Sequence, residues 1–279
     1  MNLTVINTGY FKLDGGAMFG VVPKSIWQRT NPSDENNMCS WAMRSLLLEI
    51  DDRLVLIDNG MGDKQSEKFF SYYHLHGNYS LLGSLHKSGI SENDISDMFL
   101  THLHFDHCGG GVQKKGEAYE LTFKNATYWS NAEHWKWATQ PNAREKASFL
   151  KENIEPMQES GHLKFVDLAN PKGFDFFDIV TADGHTDKQM LPKIRYKDYT
   201  IVFMADLLPS VGHIPLPYVM GYDTRPLLTL EEKQHFLNEA AENQYVLFLE
   251  HDPLHECCTV KHTDRGVRLD RTFPLSEIL

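Results

Sequence analysis

The sequence has few cysteines and lacks long apolar runs. Only four cysteines occur among 279 residues, and two of them, Cys257 and Cys258, are neighbours, so a disulfide framework is not expected. We therefore expect a reducing, cytoplasmic location. No apolar run approaches the roughly 18 residues that span a bilayer. The N-terminus also has no basic segment followed by an apolar one, so neither membrane insertion nor a signal peptide is predicted.

Basic residues are also fewer than acidic residues. The 27 Lys and Arg stand against 38 Asp and Glu, and the formal net charge is −11. Nucleic-acid binding needs a surplus of Lys and Arg to neutralise phosphates, so a nucleic-acid partner is not expected. No linker rich in Pro, Gly and Ser divides the chain, which favours a single domain over residues 1–279. Hydrophobic residues make up 41% of the sequence, enough for a sizeable core, and histidine is abundant, with 14 residues.

Apolar runs that alternate with helical segments predict a mixed fold. The runs at 45–50 and 54–57 flank Asp51-Asp52 and predict a hairpin, and a further strand is predicted at 174–180. Helices are predicted at about 142–154 and from Thr229 to about Glu242, where Thr229 and Glu232 resemble a capping box. Residues 8–40, rich in Gly, Pro and Asn, predict a long irregular segment. The pattern fits either two stacked sheets with helices outside or one mixed α/β sheet.

The feature richest in chemistry is the run Thr101-His-Leu-His-Phe-Asp-His107, which Gly109-Gly-Gly111 follows. His102 and His104 lie on one face of an extended chain, with Asp106 beside them. A turn at the glycines would let His107 converge on the same point. Imidazole and carboxylate donors at this spacing indicate a metal site and suit zinc, with iron or manganese also acceptable. An isolated histidine would be interpreted as a packing residue, but four donors in six positions are not.

Further candidate donors follow later predicted strands. His185 lies in Asp183-Gly-His-Thr186, Asp206 follows the apolar run at 201–205, and His251 follows the run at 245–249. Together with the first motif, this order resembles the metallo-β-lactamase superfamily of binuclear metallohydrolases. The family pattern is His-x-His-x-Asp-His, a later Gly-His, a later Asp and a final His, and every position is filled over residues 102–251.

The resemblance implies an α+β fold, an αββα sandwich, with the site on loops at one edge of the sheets. It implies that the first of two divalent metal ions takes His102, His104 and His185, and the second takes Asp106, His107 and His251, while Asp206 bridges both. It also implies hydrolysis by a metal-bridging hydroxide, with Asp106 as the residue that passes a proton to the leaving group. Asp58, in a turn after an early strand, is expected to orient a ligand histidine.

The N-terminal segment and the histidine motif further resemble the branch that holds N-acyl homoserine lactonases and methyl parathion hydrolase. In that branch, the segment at about 8–40 shapes the substrate pocket, so Phe19, Trp27 and Phe105 are candidate pocket walls. Some lactonases have a Tyr three residues after the bridging Asp, where this chain has Pro209. Candidate replacements are His213, Tyr218 and Tyr222. The expected substrate is a small-molecule lactone or ester, N-acyl homoserine lactone being one candidate.

The sequence is also compatible with other functions. A phosphotriester or a thioester is an alternative substrate within the same superfamily, and a metal-binding module without turnover is an alternative of another class. A structural zinc site is disfavoured because such sites are usually closed and rich in cysteine. We expect a small-molecule partner and neither nucleic acid nor a membrane, and a homodimer is left open.

Overall fold

The structure is a computed structural model that describes residues 1–170 and 174–279. The described residues form eight α-helices: α1 Gly15–Phe19, α2 Lys24–Trp27, α3 Glu67–Tyr73, α4 Leu81–Lys87, α5 Phe105–Cys108, α6 Ala132–Thr139, α7 Lys151–Glu159 and α8 Pro226–Asn243. They also form fourteen strands: β1 Asn2–Asp14, β2 Met38–Ile50, β3 Arg53–Ile57, β4 Asp97–Phe99, β5 Val112–Lys115, β6 Ala118–Leu121, β7 Thr127–Ser130, β8 Leu163–Phe165, β9 Asp178–Ala182, β10 Gln189–Tyr196, β11 Tyr199–Phe203, β12 Val246–Phe248, β13 Cys257–Thr263 and β14 Gly266–Phe273. This mixture of helices and sheets confirms the α+β class.

The chain divides into two compact units. Unit 1 comprises residues 1–10 and 43–176, and unit 2 comprises residues 11–42 and 177–279. The sequence-based expectation of a single domain with a pocket-shaping segment at about 8–40 stays a prediction.

Unit 1 is built on a six-stranded sheet in the order β1-β2-β3-β4-β7-β8, and β5 and β6 form a separate hairpin. Strands β3, β4, β7 and β8 are parallel, so their carboxyl ends meet at one edge of the sheet. Asp58 follows β3 at this edge and the histidine motif follows β4. The unit has its own apolar core, in which Leu56, Met98 and Tyr128 of neighbouring strands are fully buried.

Unit 2 contains a second six-stranded sheet, in the order β14-β13-β12-β11-β10-β9. Strands β11 and β12 are parallel, and β9 runs in the same direction because it and β11 are both antiparallel to β10. The carboxyl ends of these three strands therefore lie at one edge of the sheet. Within the core of this unit the rings of Phe203 and Phe248 stack with centroids 5.3 Å apart.

Several local predictions are confirmed, and others are wrong. The hairpin around Asp51-Asp52 is present as β2 and β3. Residues 8–40 are not one irregular segment, because β1 continues to Asp14 and the Asp14 carboxylate accepts from Ala17 N–H to start α1. No helix begins at 142, because the Asn142 side chain accepts from the N–H groups of Arg144 and Glu145 and holds a turn there.

Two further boundaries differ from the prediction for physical reasons. The apolar residues near 174 do not begin a strand, since Phe174 packs its ring on Phe99 and Trp129 and β9 starts only at Asp178. Thr229 is not a cap, since α8 begins at Pro226. Glu232 instead accepts from the N–H groups of Asp183 and Gly184. Among the described residues, no helix has the length and apolar character needed to cross a membrane.

Candidate metal centre

The histidine motif lies in unit 1 at the carboxyl end of β4. His102 and His104 are in the extended chain that follows the strand, and Asp106 and His107 lie on the short helix α5. The three glycines that follow form a 3-10 turn, where a Cβ at Gly109 would lie only 2.1 Å from the carbonyl oxygen of Met61. Only glycine fits this close approach, which brings the turn against the loop after β3.

His102 and His104 direct ring nitrogens towards each other. His102 Nε2 and His104 Nδ1 lie 3.1 Å apart, and both residues are buried. Two nitrogens bound to one tetrahedral zinc ion lie about 3.3 Å apart, since each bond is about 2.0 Å long. The arrangement of this pair therefore fits two ligands of a common metal ion.

The other ring nitrogen of each candidate ligand histidine in unit 1 faces an oxygen atom. His107 Nδ1 donates to Asp58 Oδ2 over 3.0 Å, as the sequence predicts for Asp58. Asp58 is itself fixed by the N–H and hydroxyl groups of Thr101, which donate to its two oxygens. His104 Nε2 lies 3.5 Å from Glu145 Oε1. Hydrogen-bond acceptors of this kind set the orientation and basicity of ligand imidazoles.

Sequence reasoning missed two supporting residues in unit 1. His134, buried on α6, accepts the N–H of Leu103 at 2.9 Å, between the two predicted ligands. Glu145 is held by Trp137 Nε1 at 2.7 Å and by the Asn142 side chain at 2.6 Å. The aromatic run around His134 was the one visible signal, since nothing in the spacing of Glu145 connects it to the motif.

In unit 2 the three candidate ligands follow three strands with the same offset. His185 comes three residues after Ala182, the end of β9; Asp206 comes three residues after Phe203, the end of β11; and His251 comes three residues after Phe248, the end of β12. All three are buried. Because these strand ends share one edge of the sheet, the side chains converge there.

The Asp206 carboxylate lies between the two histidines. His185 Nε2 is 3.0 Å from Asp206 Oδ2, and His251 Nε2 is 3.1 Å from Asp206 Oδ1. Each carboxylate oxygen therefore faces a different imidazole. The Asp206 carboxylate therefore groups with both imidazoles as a candidate set of metal ligands.

Each of the two candidate ligand histidines of unit 2 also bonds an acceptor through Nδ1. His185 Nδ1 donates to Asp223 Oδ1 at 3.0 Å, and His251 Nδ1 donates to the carbonyl oxygen of Ala42 at 2.8 Å. Burial opposes the charged form of His185, but the carboxylates of Asp206 and Asp223 outweigh it and raise the pKa of His185 to about 10. The strong attraction for positive charge at this point suits a cation. No sequence pattern had marked Asp223.

The candidate pocket residues separate into two groups. In unit 2 the ring of Phe19 stacks between Trp27, at 5.3 Å, and His213, at 4.4 Å, and all three are buried. The half-buried Tyr218 lies at right angles to the ring of Phe19, and Tyr222 is 41% exposed. That these residues line a substrate pocket stays a prediction.

In unit 1, Phe105 packs against two aromatic residues that sequence reasoning had not singled out. Its ring centroid lies 5.3 Å from that of Phe69 and 4.8 Å from that of Tyr73, both on α3. Burial, with a smaller contribution from the Asp106 carboxylate, raises the pKa of Tyr73 to about 12. This aromatic cluster therefore lies beside Asp106.

Two weaker sequence features have local explanations. His74 ends α3 in a left-handed conformation, and His76 stacks on Tyr10, so the second His-x-His pair of the sequence is an exposed helix end. All four cysteines are buried thiols.

Solved structures with the same fold cover nearly the whole chain. A probable metal-dependent hydrolase from Staphylococcus aureus is 26% identical with a TM-score of 0.85, over 98% of this chain and 96% of that one. The dizinc quorum-quenching lactonase AidC, solved with the product N-hexanoyl-L-homoserine, is 23% identical with a TM-score of 0.79, over 98% and 95%. A quorum-quenching N-acyl homoserine lactone lactonase is 17% identical with a TM-score of 0.65, over 90% and 92%. These likenesses confirm the fold that the sequence motif predicts.

Curated protein sequences contain no match to this chain. The sequence model of the Metallo-beta-lactamase superfamily, in contrast, matches residues 44–253. This range includes all seven predicted ligand positions, and the donors at those positions fit a divalent metal ion. The chain therefore belongs to the metallo-β-lactamase superfamily.

Proposed function

We propose that this protein is a binuclear metal-dependent hydrolase that opens a small-molecule lactone or cleaves a small-molecule ester. The observation that carries the proposal is the Asp206 carboxylate, whose two oxygens face His185 and His251 at 3.0 and 3.1 Å. A single ion needs only one of these oxygens, whereas two ions use both. The proposal includes a reducing compartment such as the cytoplasm, with which the four buried thiols are consistent.

The proposed ligand set is the one that the family resemblance implies. Two ions, with zinc as the first choice and iron or manganese as alternatives, would be held as follows: one by His102, His104 and His185, the other by Asp106, His107 and His251, and both by Asp206. Support comes from the separation of His102 Nε2 and His104 Nδ1, which fits a shared ion. All seven donors are nitrogen or oxygen atoms, which suits each of these metals.

The bound ions would supply an activated water as nucleophile and a Lewis acid for the attacked oxygen. The chain's own residues would orient the imidazoles and move the proton. Asp58, Asp223 and the carbonyl group of Ala42 fix one nitrogen of His107, His185 and His251. In the proposal, Asp106 carries a proton to the leaving alkoxide as the ester or lactone bond breaks, which Asp106→Asn would prevent.

The aromatic cluster beside Asp106 supports an acylated substrate. Phe105, Phe69 and Tyr73 provide apolar ring faces, and an acyl chain packs well on such surfaces. The likeness to AidC, a lactonase by its description, makes N-acyl homoserine lactone the first substrate to test. Other esters, phosphotriesters and thioesters complete the set, because the proposed chemistry needs only an electrophilic carbonyl or phosphoryl centre.

Metal analysis and a substrate panel on one sample test this proposal. We expect about two metal equivalents in protein purified without chelators. We also expect hydrolysis of an acyl homoserine lactone or an aryl ester that His104→Ala and Asp206→Asn abolish. The matched control is His76→Ala, which removes a histidine from the exposed His-x-His pair at the end of α3 and leaves activity unchanged.

Two results would contradict the proposal. Full activity in metal-free protein would exclude the metal-dependent mechanism. A filled metal site with no activity against the whole panel would favour a metal-binding module without turnover. The oligomeric state, for which a homodimer remains open, is measured on the same sample by light scattering.

A further inference from the structure

Helix α8 of unit 2 places one lysine where it is almost completely excluded from water. Lys233 is 1% exposed, and its Nζ donates to three backbone carbonyl oxygens: His213 at 3.0 Å, Pro215 at 3.3 Å and Tyr218 at 2.6 Å. An ammonium group has three N–H donors and no acceptor. Burying it is unfavourable unless these donors are satisfied, and here each one has an oxygen to bond.

The three oxygens belong to one short stretch, residues 213–218. This stretch, which we call the 213–218 segment, contains Pro215 and Pro217, and proline has no N–H with which to make backbone hydrogen bonds. The segment therefore makes few bonds within itself. All three bonds come from one side chain of another element, so Lys233 ties three carbonyl groups of the segment to helix α8.

Two residues of the segment, His213 and Tyr218, contact the ring of Phe19 in unit 2. The His213 ring stacks on Phe19, its Nε2 donates to the carbonyl oxygen of Met18 at 2.9 Å, and its Nδ1 lies 2.9 Å from Ser210 Oγ. Tyr218, at the other end, meets the edge of Phe19 at 6.5 Å. The bonds from Lys233 to the carbonyl groups of His213 and Tyr218 therefore hold both ends of the 213–218 segment.

We propose that Lys233 is a positioning residue for substrate binding, whose ammonium group holds the 213–218 segment in the conformation that presents Tyr218 and the following Tyr222 to the substrate. The inference rests on the proposed hydrolase function and on the prediction that these tyrosines line the pocket. Lys233 itself touches neither the substrate nor the reacting atoms.

The test compares Lys233→Met, which keeps the length of the side chain and removes the charge, with Lys193→Met. Lys193 is the matched control, since its Nζ bonds Glu239 on the outer side of the same helix at 2.8 Å. We expect Lys233→Met to lower kcat/KM by about 10- to 100-fold, mainly through KM. We expect the control to behave like the wild type.

Amide hydrogen exchange provides a readout that does not depend on activity. In Lys233→Met, exchange should accelerate in residues 211–222 and not in strands β10 and β11. An unchanged KM together with unchanged exchange in the segment would overturn the proposal. So would equal acceleration throughout unit 2, because Lys233 would then contribute only to general stability. If Lys233→Met does not fold, Lys233→Gln is used, and the same outcomes decide.

The pH profile adds a second readout. Burial lowers the pKa of Lys233 to about 7, against the opposing charge of Asp223, and His213 is the other titratable residue that faces it. A neutral amine has two N–H donors for three oxygens, so the protection of the segment, that is, its exchange rate corrected for the intrinsic base-catalysed rate at each pH, should fall in the wild type as the pH rises above about 7. Lys233→Met should lack this dependence, and the same dependence in both proteins would contradict the proposal.

The exchange experiments also separate this inference from the proposed function. If the wild-type protein hydrolyses no member of the panel, the proposed function fails. Amide exchange in the metal-loaded and metal-free protein still shows whether Lys233 holds the segment in place.

Discussion

Each candidate ligand imidazole is oriented by a partner on the side away from the proposed metal. The four histidines held through Nδ1 are His102 by Thr101 Oγ1, His107 by Asp58, His185 by Asp223 and His251 by the carbonyl group of Ala42. His104 is turned the other way, with Nδ1 towards His102 and Nε2 towards Glu145. An acceptor at Nδ1 favours the tautomer whose Nε2 keeps a lone pair for a cation in the four rings held through Nδ1.

Replacing one such partner should weaken metal binding. We expect Asp223→Asn to lower zinc affinity by about 10- to 100-fold, because the neutral amide makes the His185 imidazole less basic and holds it less firmly. Zinc competition with a chromophoric chelator measures the effect. Asp270→Asn, at an exposed ion pair with Lys261 in the same unit, should leave the affinity unchanged. Equal affinities in Asp223→Asn and the wild type would show that Asp223 has no such role.

His213 should make stability depend on pH. Burial lowers its pKa from 6.5 to about 3 in the folded protein. Between these values the unfolded chain binds a proton that the folded protein does not, so the free energy of unfolding falls as the pH falls from 6.5 towards 3. Urea unfolding at pH 7 and pH 4.5 should show a smaller fall in His213→Gln than in the wild type. An exposed-site control, His235→Gln, should fall as the wild type does, and an identical fall in all three would contradict the assignment.

At the level of the element, helix α6 supports the loop that contains His102 and His104. Asn131 caps the helix by accepting the N–H of His134 at 2.8 Å, and His134 accepts the N–H of Leu103. The helix thus begins where it can hold the backbone between His102 and His104. The aromatic residues of this helix, which from sequence alone suit packing, serve that position: Trp135 is buried and Trp137 donates to Glu145.

Removing the acceptor on α6 should cost stability. In His134→Phe the buried N–H of Leu103 has no ring nitrogen to bond, and we expect a loss of about 1–3 kcal/mol in the free energy of unfolding. Denaturant unfolding of metal-free protein measures this loss without a contribution from the metal. Trp137→Phe, which keeps the ring and removes one donor to Glu145, is the companion variant, with an expected loss of about 1 kcal/mol. No loss in His134→Phe would mean that Leu103 N–H finds another acceptor.

Local signals were overridden at another element for a tertiary reason. Thr229 and Glu232 have the spacing of a capping box, yet α8 begins at Pro226, which suits the first turn of a helix. Glu232 is used by the loop before His185, where it accepts from two consecutive N–H groups. Burial raises the pKa of Glu232, and the two N–H bonds from the loop oppose that rise.

At the scale of the whole molecule, metal binding should stabilise the fold. An ion that binds only the folded protein stabilises it by about 2.7 kcal/mol at a concentration 100 times its dissociation constant. Thermal unfolding of zinc-loaded protein should therefore occur at a higher temperature than unfolding after exhaustive chelation. Adding zinc back should restore the midpoint, and adding magnesium should not, since imidazole donors suit zinc and not magnesium. A midpoint that is the same with and without zinc would argue against the proposed metal site.

Much of the fold was predictable because its signals are local. The hairpin around Asp51-Asp52 and most of helix α8 were visible in short windows of sequence. The errors at 8–40 and 142–154 came from side chains, Asp14 and Asn142, whose choice between backbone partners depends on the turn they close. Neither choice can be made from composition.

The sequence by itself determined the chemistry of the candidate site, namely which residues can donate to a metal ion and that each follows a strand. This was possible because the histidine motif is contiguous and its donors need no distant partner to be identified. Only the tertiary structure decided which nitrogen of each imidazole is held, since Asp58 and His107 are 49 residues apart and His251 and Ala42 are 209 apart. It also placed Lys233 on three carbonyl oxygens 15 to 20 residues away. Such bonds form only when burial removes competing water. The spacing of residues along the chain does not show which groups will be buried together.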